Sequence, residues 1–309
     1  MKFPKNVRKG DKIAVVSPAG AVEESQLGST LSLIESHGYQ PVLGNHVYGK
    51  YDHGFVYSGT EQQRLSDLNW ALNDPEIAAV WASRGGYGCQ HLVQHLDWSF
   101  ISKNPKWYIG YSDNTVIQSG LLKNEIPSIH GQTITTSSFG VSEESYQHIF
   151  DILKGNIPQY TIQNHPYNKI GETEGILVGG NLALIYALLG TENSFDFQDK
   201  ILFIEEIGEQ YYALDRMLMS LEMGGVFKKI KGLVVGGMTN MGKEADNQHY
   251  TESFDPFANQ LIMERVQSYH FPVVFRFPNG HIEHNLPLII GMKMRLIVGS
   301  KESSIQMER

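Results

Sequence analysis

Cysteine is almost absent from this chain of 309 residues, since Cys89 is the single one. One thiol cannot form an internal disulfide or supply the ligands of a cysteine-based zinc site, so both are excluded. Long apolar runs are also absent, because none approaches the ~18 residues that a membrane-spanning helix needs. The first apolar run, residues 13–16, is too short for the core of a signal peptide, and we therefore expect a cytoplasmic protein.

Basic residues are too few and too scattered for a nucleic-acid surface. The chain has 25 Lys and Arg against 33 Asp and Glu, a net charge of −8, and no basic stripe with interleaved aromatic residues. A nucleic-acid partner is therefore not expected. Hydrophobic residues make up 41% of the chain, as in folded globular proteins, and its length favours two domains with a cleft between them.

Short apolar runs alternate with helical segments along both halves, which predicts β-α-β units and an α/β fold class. The strand candidates are KIAVVSPAG, YQPVLG, IAAVWAS, WYIGY, GILVGG, ILFIEE, GLVVGGM, PVVFRF, PLIIG and MRLIVG. Residues 156–172 mix Pro, Asn and Gly without helical periodicity. We therefore predict an N-terminal domain over residues 1–155, a linker over 156–172, and a C-terminal domain, richer in strands, over 173–309.

Ser112 lies where the strand candidate WYIGY meets a predicted helix over residues 113–123. A serine at such a corner can be exposed on a tight turn, with the following amide groups directed towards a developing oxyanion. Gly110 fits the first glycine of the nucleophile-elbow motif, whereas Asn114 replaces the second, so the match is partial. Ser, Asp and Asn at these positions would serve equally well as helix caps.

Two further polar groups follow apolar strand candidates: Glu205 with Glu206 after ILFI, and His281 after FRFPNG. Strand alternation directs the two carboxylates in opposite ways, so only one of them can face a given site. Each residue taken alone is compatible with an ordinary surface or capping role. Together with Ser112, however, they supply the hydroxyl, carboxylate and imidazole of a nucleophilic group, each expected at a strand end.

A glycine-rich segment, SRGGYG, follows the strand candidate IAAVWAS. Its three glycines let a ligand approach the backbone closely and leave amide groups to donate. The segment lacks the Lys-Ser/Thr ending of a P-loop and the spacing of a dinucleotide-binding motif. We interpret it as a loop that binds an oxyanion or the substrate backbone, and a plain tight turn is the alternative.

Metal-binding patterns are incomplete. His91 and His95 have an i, i+4 spacing on a predicted helix over residues 90–95, but the general-base Glu of H-E-x-x-H is missing. His281, Glu283 and His284 are clustered, yet adjacent positions rarely provide a full ligand set without a distant carboxylate. We therefore expect neither a metal nor a cofactor, and a chelator that abolished activity would contradict this.

Seven ordered segments resemble those of the LD-carboxypeptidase family, also called muramoyltetrapeptide carboxypeptidases, over almost the whole chain. They are VVSPAG, YSGTEQQRLSDLNWAL, SRGGYG, IGYSDNTVIQSGLL, EGILVGGNLALIYALLGT, ILFIEEIGEQYYALDRMLMSL and FPNGHIEHNLPLIIG. The resemblance implies an N-terminal flavodoxin-like parallel-sheet domain, a C-terminal β-rich α/β domain, and a homodimer.

The resemblance also implies which residues act. It points to a Ser-Glu-His triad formed by Ser112, Glu205 and His281. The family commonly has Asp where this chain has Glu206, a departure that affects the neighbour of the triad and not the triad itself.

An oxyanion hole is implied as well, formed by the backbone amide of Asp113 and by that of Gly85 or Gly86. Arg84 is a candidate for binding the terminal carboxylate of the substrate by its proximity alone. A structural ion pair is the alternative for this side chain.

Similar proteins cut the amide that links the L centre of lysine or diaminopimelate to a terminal D-alanine in murein tetrapeptides, during cell-wall recycling in the cytoplasm. The resemblance implies this activity for the present chain. One alternative is a peptidase of the microcin-immunity type, which cuts an amide joining an aminoacyl or peptidyl group to a nucleotide. Another is a two-domain binding protein without catalysis.

Overall fold

The computed structural model describes residues 1–135, 142–242 and 253–309 of the chain. The chain divides into two compact units, residues 1–156 and 157–309, and each is described by itself. Within the described residues, no helix is both long and apolar enough to span a membrane.

The first unit combines strands and helices in alternation. Its strands are β1 (Lys12–Val16), β2 (Gln40–Leu43), β3 (Tyr51–Asp52), β4 (Val56–Tyr57), β5 (Ile77–Ala82), β6 (Trp107–Gly110) and β7 (Ser128–His130). Its helices are α1 (Gly28–Ser36), α2 (Glu61–Asn73), α3 (Trp98–Ile101), α4 (Thr115–Lys123) and α5 (Glu143–Lys154).

Strands of the first unit pair in parallel in the order β2-β1-β5-β6-β7. This is the strand order of flavodoxin-like folds, so the predicted parallel-sheet domain is confirmed. Apolar side chains of β1 and β5, such as Val15 and Trp81, are completely buried, as expected of strands covered on both faces. Because neighbouring parallel strands end at the same edge, the residues after β5 and β6 lie close together.

The helix predicted over residues 90–95 is not an α-helix. The segment forms two 3-10 turns, Cys89–His91 and Val93–His95, after Gly88 with a φ of +131°. An i, i+4 pair of histidines on one α-helical face therefore does not exist there.

The second unit is richer in strands. They are β8 (Gln159–Gln163), β9 (Gly171–Asn181), β10 (Lys200–Ile207), β11 (Gly232–Thr239), β12 (Val273–Val274), β13 (Leu288–Ile290), β14 (Lys293–Val298) and β15 (Glu302–Glu308). The helices are α6 (Leu182–Leu188), α7 (Tyr211–Met223), α8 (Val226–Lys229) and α9 (Pro256–Val266).

Among the described residues, the second sheet has the order β12-β11-β10-β9-β14-β15-β8. Strands β9 to β12 pair in parallel, whereas β14, β15 and β8 add antiparallel neighbours beyond β9. The prediction of a strand-rich α/β second domain is confirmed. Strand β8 lies within the segment that was predicted to be a linker. Its Tyr160 and Ile162 alternate with polar residues, which is the pattern of a half-buried strand.

Candidate active site

Ser112 occupies a sharp turn between β6 and α4. It is the first residue of a 3-10 turn, Ser112–Asn114, and its φ of +62° is uncommon for a residue other than glycine. Holding such a conformation costs of order 1–3 kcal/mol and is characteristic of functional positions. The half-buried Ser112 therefore has the backbone of a nucleophile elbow, which favours this interpretation over a simple helix cap.

The contacts of the Asn114 side chain show how this turn accommodates an asparagine where the elbow motif has its second glycine. A Cβ added to Gly110 would lie 2.8 Å from Asn114 Cγ, so the asparagine side chain fills the space over Gly110. Its Nδ2 donates to the Tyr111 carbonyl at 2.9 Å, and its Oδ1 accepts from the Tyr108 hydroxyl at 2.5 Å. The asparagine thus braces the turn from beneath Ser112.

The glycine segment lies directly against this turn. A Cβ added to Gly85 would lie 2.9 Å from Ser112 Cβ and 3.5 Å from the Asp113 amide nitrogen. At Gly86, which has a φ of +112°, a Cβ would instead meet the Phe55 ring at 3.0 Å. Ser112, Asp113 and Gly85 are therefore neighbours, whereas Phe55 and Gly20 occupy the space beside Gly86.

Glu205 and His281 form the second group of predicted residues. Glu205 is completely buried in β10, and its Oε2 lies 2.8 Å from Nδ1 of His281, which is 7% exposed. A Cβ on Gly280, whose φ is +121°, would lie 2.8 Å from Glu205 Oε2. Glycine before the histidine is therefore required both by the backbone conformation and by the close approach of the carboxylate.

The loop that carries His281 is held by hydrogen bonds from buried side chains. Asn279 Nδ2 donates to the Leu286 carbonyl at 2.7 Å, and Asn285 Nδ2 donates to the Gly280 carbonyl at 2.6 Å. The His281 carbonyl accepts from the Thr239 hydroxyl at 3.0 Å. These contacts fix the backbone on both sides of the imidazole, so its pairing with the carboxylate does not depend on a flexible turn.

Two family models match the chain. The model described as the LD-carboxypeptidase N-terminal domain matches residues 13–131, and the model described as the LD-carboxypeptidase C-terminal domain matches residues 174–296. The chain belongs to the LD-carboxypeptidase family. It is therefore a peptidase, and family membership favours an enzyme over the alternative of a binding protein without catalysis.

Three named relatives match this chain along most of its length. The probable murein peptide carboxypeptidase of Bacillus subtilis is 30% identical and covers 98% of this chain and 94% of its own. The murein tetrapeptide carboxypeptidase of Pseudomonas aeruginosa is 30% identical and covers 89% of each chain. The microcin C7 self-immunity protein MccF of Escherichia coli is 26% identical and covers 96% and 93%.

Solved structures agree on the fold of this LD-carboxypeptidase family member. The muramoyltetrapeptide carboxypeptidase from Oxalobacter formigenes has a TM-score of 0.82 at 27% identity and covers 96% of this chain and 99% of its own. MccF in complex with glutamyl sulfamoyl guanosine has a TM-score of 0.84 at 22% identity, with coverage of 100% and 99%. The two-domain fold is therefore common to carboxypeptidases and microcin-immunity proteins.

Glu206, the neighbour of Glu205 in β10, is a structural residue in this family member. It is 2% exposed, and its carboxyl group accepts hydrogen bonds from Asn181 Nδ2 at 2.9 Å, Ala183 N at 2.7 Å and Ile207 N at 2.8 Å. Burial, and next the charge of Glu205, raise the pKa of Glu206 to about 8 against these hydrogen bonds. A protonated Glu206 adds no second negative charge beside Glu205 at neutral pH.

Arg84 has an exposed side chain beside the glycine segment. Its Nη1 donates to the Ala21 carbonyl at 3.0 Å. None of the described carboxylates lies within ion-pair distance of the guanidinium, so the alternative of a structural ion pair finds no support in that part of the chain.

Proposed function

We propose that this protein is a serine carboxypeptidase that hydrolyses the L,D-amide bond of murein tetrapeptides and releases the terminal D-alanine. The observation that carries the proposal is the pairing of the buried Glu205 with His281 Nδ1 at 2.8 Å. A carboxylate on this nitrogen fixes the tautomer and orientation of an imidazole that acts as a base through Nε2. The positive φ of Ser112 supplies the matching feature of a nucleophile.

In the proposed mechanism Ser112, His281 and Glu205 act as one catalytic group. His281 Nε2 takes the proton of the Ser112 hydroxyl while Oγ bonds to the scissile carbonyl carbon. The oxyanion that forms is stabilised by the amide of Asp113 and by an amide of the glycine segment. The position of Gly85 against Ser112 supports the role of the glycine segment.

Collapse of the tetrahedral intermediate breaks the carbon–nitrogen bond, and His281 passes its proton to the departing amino group of D-alanine. A water molecule then gives a proton to the same imidazole as its oxygen attacks the acyl-serine ester. The tripeptide leaves with a new carboxylate, and Ser112 recovers its proton. Glu205 remains ionised throughout and stabilises the imidazolium formed in each half of the cycle.

The murein substrate is favoured by the two relatives named as murein peptide carboxypeptidases, each 30% identical to this chain. With this substrate the enzyme would act in the recycling of cell-wall peptides in the cytoplasm, as a homodimer. Arg84, exposed beside the nucleophile turn, is our candidate for the terminal carboxylate of the tetrapeptide because the guanidinium suits bidentate pairing with a carboxylate.

A second candidate is cleavage of an aminoacyl or peptidyl nucleotide amide. The 26% identity to MccF over 96% of the chain favours keeping this candidate. The proposed catalytic residues would serve both substrates, so the substrates themselves must be compared.

The test is hydrolysis of a murein tetrapeptide and of an aminoacyl sulfamoyl adenylate, side by side and at equal enzyme concentrations. We expect D-alanine release from the tetrapeptide with a kcat/KM at least ~10²-fold above that for the nucleotide. The reverse ratio would favour the immunity-type activity, and turnover of neither substrate would overturn the proposal. Lysine and diaminopimelate forms of the tetrapeptide, tested in parallel, identify the preferred diamino acid.

A further inference from the structure

The side chains of the two residues after Ser112 cross to the glycine segment. Asp113 Oδ2 accepts a hydrogen bond from the backbone amide of Cys89 at 2.8 Å. Asn114 Nδ2 lies 3.4 Å from the carbonyl of Arg84, to which it donates. Arg84 and Cys89 flank the four residues Gly85 to Gly88, so both ends of the segment are hydrogen-bonded to the turn Ser112–Asn114.

The peptide unit that joins Gly88 to Cys89 is held at both of its polar atoms. Its carbonyl oxygen accepts from Arg64 Nη1 at 3.0 Å, and its N–H group donates to Asp113. Arg64 and Asp113 are 3% and 1% exposed, so a buried cation and a buried carboxyl group grip one peptide from opposite sides. Hydrogen bonds to charged groups are the strong ones, particularly where water is excluded.

Arg64 extends this arrangement to the rest of the unit. The same Nη1 donates to the Pro18 carbonyl at 2.5 Å, and Nε donates to the Gly59 carbonyl at 3.2 Å. Burial raises the pKa of Asp113, while the Cys89 amide and the positive charge of Arg64 act in the opposite direction. The carboxyl group therefore has both a hydrogen-bond partner and a countercharge in its buried position.

We propose that Asp113 is a positioning residue whose side chain, with Arg64 on the other side of the Gly88–Cys89 peptide, sets the distance between the glycine segment and Ser112. The inference rests on the proposed function, because that distance governs the amides proposed to bind the oxyanion. The oxyanion exists only in the transition state and the intermediate. Loss of the Asp113 hydrogen bond to the Gly88–Cys89 peptide should therefore lower kcat and leave KM nearly unchanged.

The test compares Asp113→Ala and Asp113→Asn with Asp67→Ala. Asp67 is a matched control, because it is also buried in the first unit and accepts from a backbone amide, that of His46, at 2.7 Å. For Asp113→Ala we expect kcat on the tetrapeptide to fall about 10²-fold with KM within about 3-fold. Asp113→Asn keeps an oxygen for the Cys89 amide and should retain kcat within about 10-fold of the wild type.

Hydrogen exchange of the segment 84–91 is the second readout, and it needs no substrate. Exchange of this segment should accelerate at least ~10-fold in Asp113→Ala and stay unchanged in Asp67→Ala. An Asp113→Ala protein with kcat within 3-fold of wild type, or with unchanged exchange of the segment, would overturn the proposal. If Asp113→Ala does not fold, an Asp113→Asn protein whose kcat falls as far as 10²-fold without faster exchange would also overturn it.

If the proposed function is wrong, the wild type releases no D-alanine from the tetrapeptide, a result that no Asp113 variant can produce. Hydrogen exchange of residues 84–91 then decides by itself whether the Asp113 side chain holds this segment in place.

Discussion

Gly85→Ala is the substitution for which the structure gives the sharpest expectation. The added methyl carbon would lie 2.9 Å from Ser112 Cβ and 3.0 Å from Ser112 Oγ. Carbon atoms in contact prefer about 3.5–4.0 Å, so Ser112 and the glycine segment must separate by roughly 0.5–1 Å. A misplacement of about 1 Å at a reacting group costs up to ~10²-fold in rate, so kcat/KM should fall about 10- to 100-fold, equivalent to ~1.4–2.7 kcal/mol.

The assay is D-alanine release from the tetrapeptide, with thermal unfolding measured in parallel. Gly28→Ala is the matched control, since a Cβ there meets no atom within 4 Å and the residue begins helix α1. We expect wild-type kcat/KM and Tm for Gly28→Ala, and a folded Gly85→Ala protein with a lower Tm, because its added carbon forces a shift of Ser112. If Gly85→Ala retains kcat/KM within 2-fold of wild type, Gly85 does not limit the position of Ser112 and the reasoning is wrong.

Two further predictions concern the adjacent acids of β10. Glu205→Gln keeps the size of the side chain but not its charge, so kcat should fall about 10³-fold, and a kcat within 3-fold of wild type would remove Glu205 from the catalytic group. For Glu206, a pKa raised from 4.5 to about 8 means that the folded state binds the proton more tightly than the unfolded chain. As the pH rises from about 5 to 8, the free energy of unfolding of the wild type should therefore fall by up to ~3 kcal/mol relative to that of Glu206→Gln. Urea unfolding of both proteins at both pH values measures this difference. A difference between the two proteins that does not change with pH would contradict the raised pKa.

The architecture was largely predictable from periodicity. Continuous apolar runs such as KIAVV and IAAVWA are typical of strands covered on both faces, and they are β1 and β5 of the parallel sheet. The helix expected over residues 90–95 is too short for periodicity to distinguish an α-helix from a 3-10 turn, and Gly88 with its positive φ precedes a 3-10 turn there.

The roles of individual residues near the candidate site were less predictable. Asn114 departs from the elbow motif, and only the structure shows its side chain over Gly110, where it braces the turn. Alternation along β10 predicts that its two acids diverge, but not that Glu206 lies buried against Ala183 at the start of helix α6. Arg64 had no local signal, because contacts with carbonyl groups distant in sequence give it its role.

Order and position at strand ends bring Glu205 and His281 forward as candidates, and the family resemblance implies that they act together. Neither residue has a distinctive local motif, and the glycine before the histidine is the one signal that the structure explains. Gly280 allows the carboxylate to approach to a distance at which any Cβ would collide with it. A short glycine turn before a histidine is therefore informative when a buried strand ends in an acid elsewhere in the chain.

The most direct test of the central claim is mass spectrometry of tetrapeptide digests made with the wild type and with Ser112→Ala. We expect the wild type to convert the tetrapeptide to the tripeptide and free D-alanine. We expect Ser112→Ala, with an unchanged Tm, to be slower by about 10⁴-fold or more. Tripeptide formation by Ser112→Ala at a rate close to that of the wild type would contradict the assignment of Ser112 as the nucleophile.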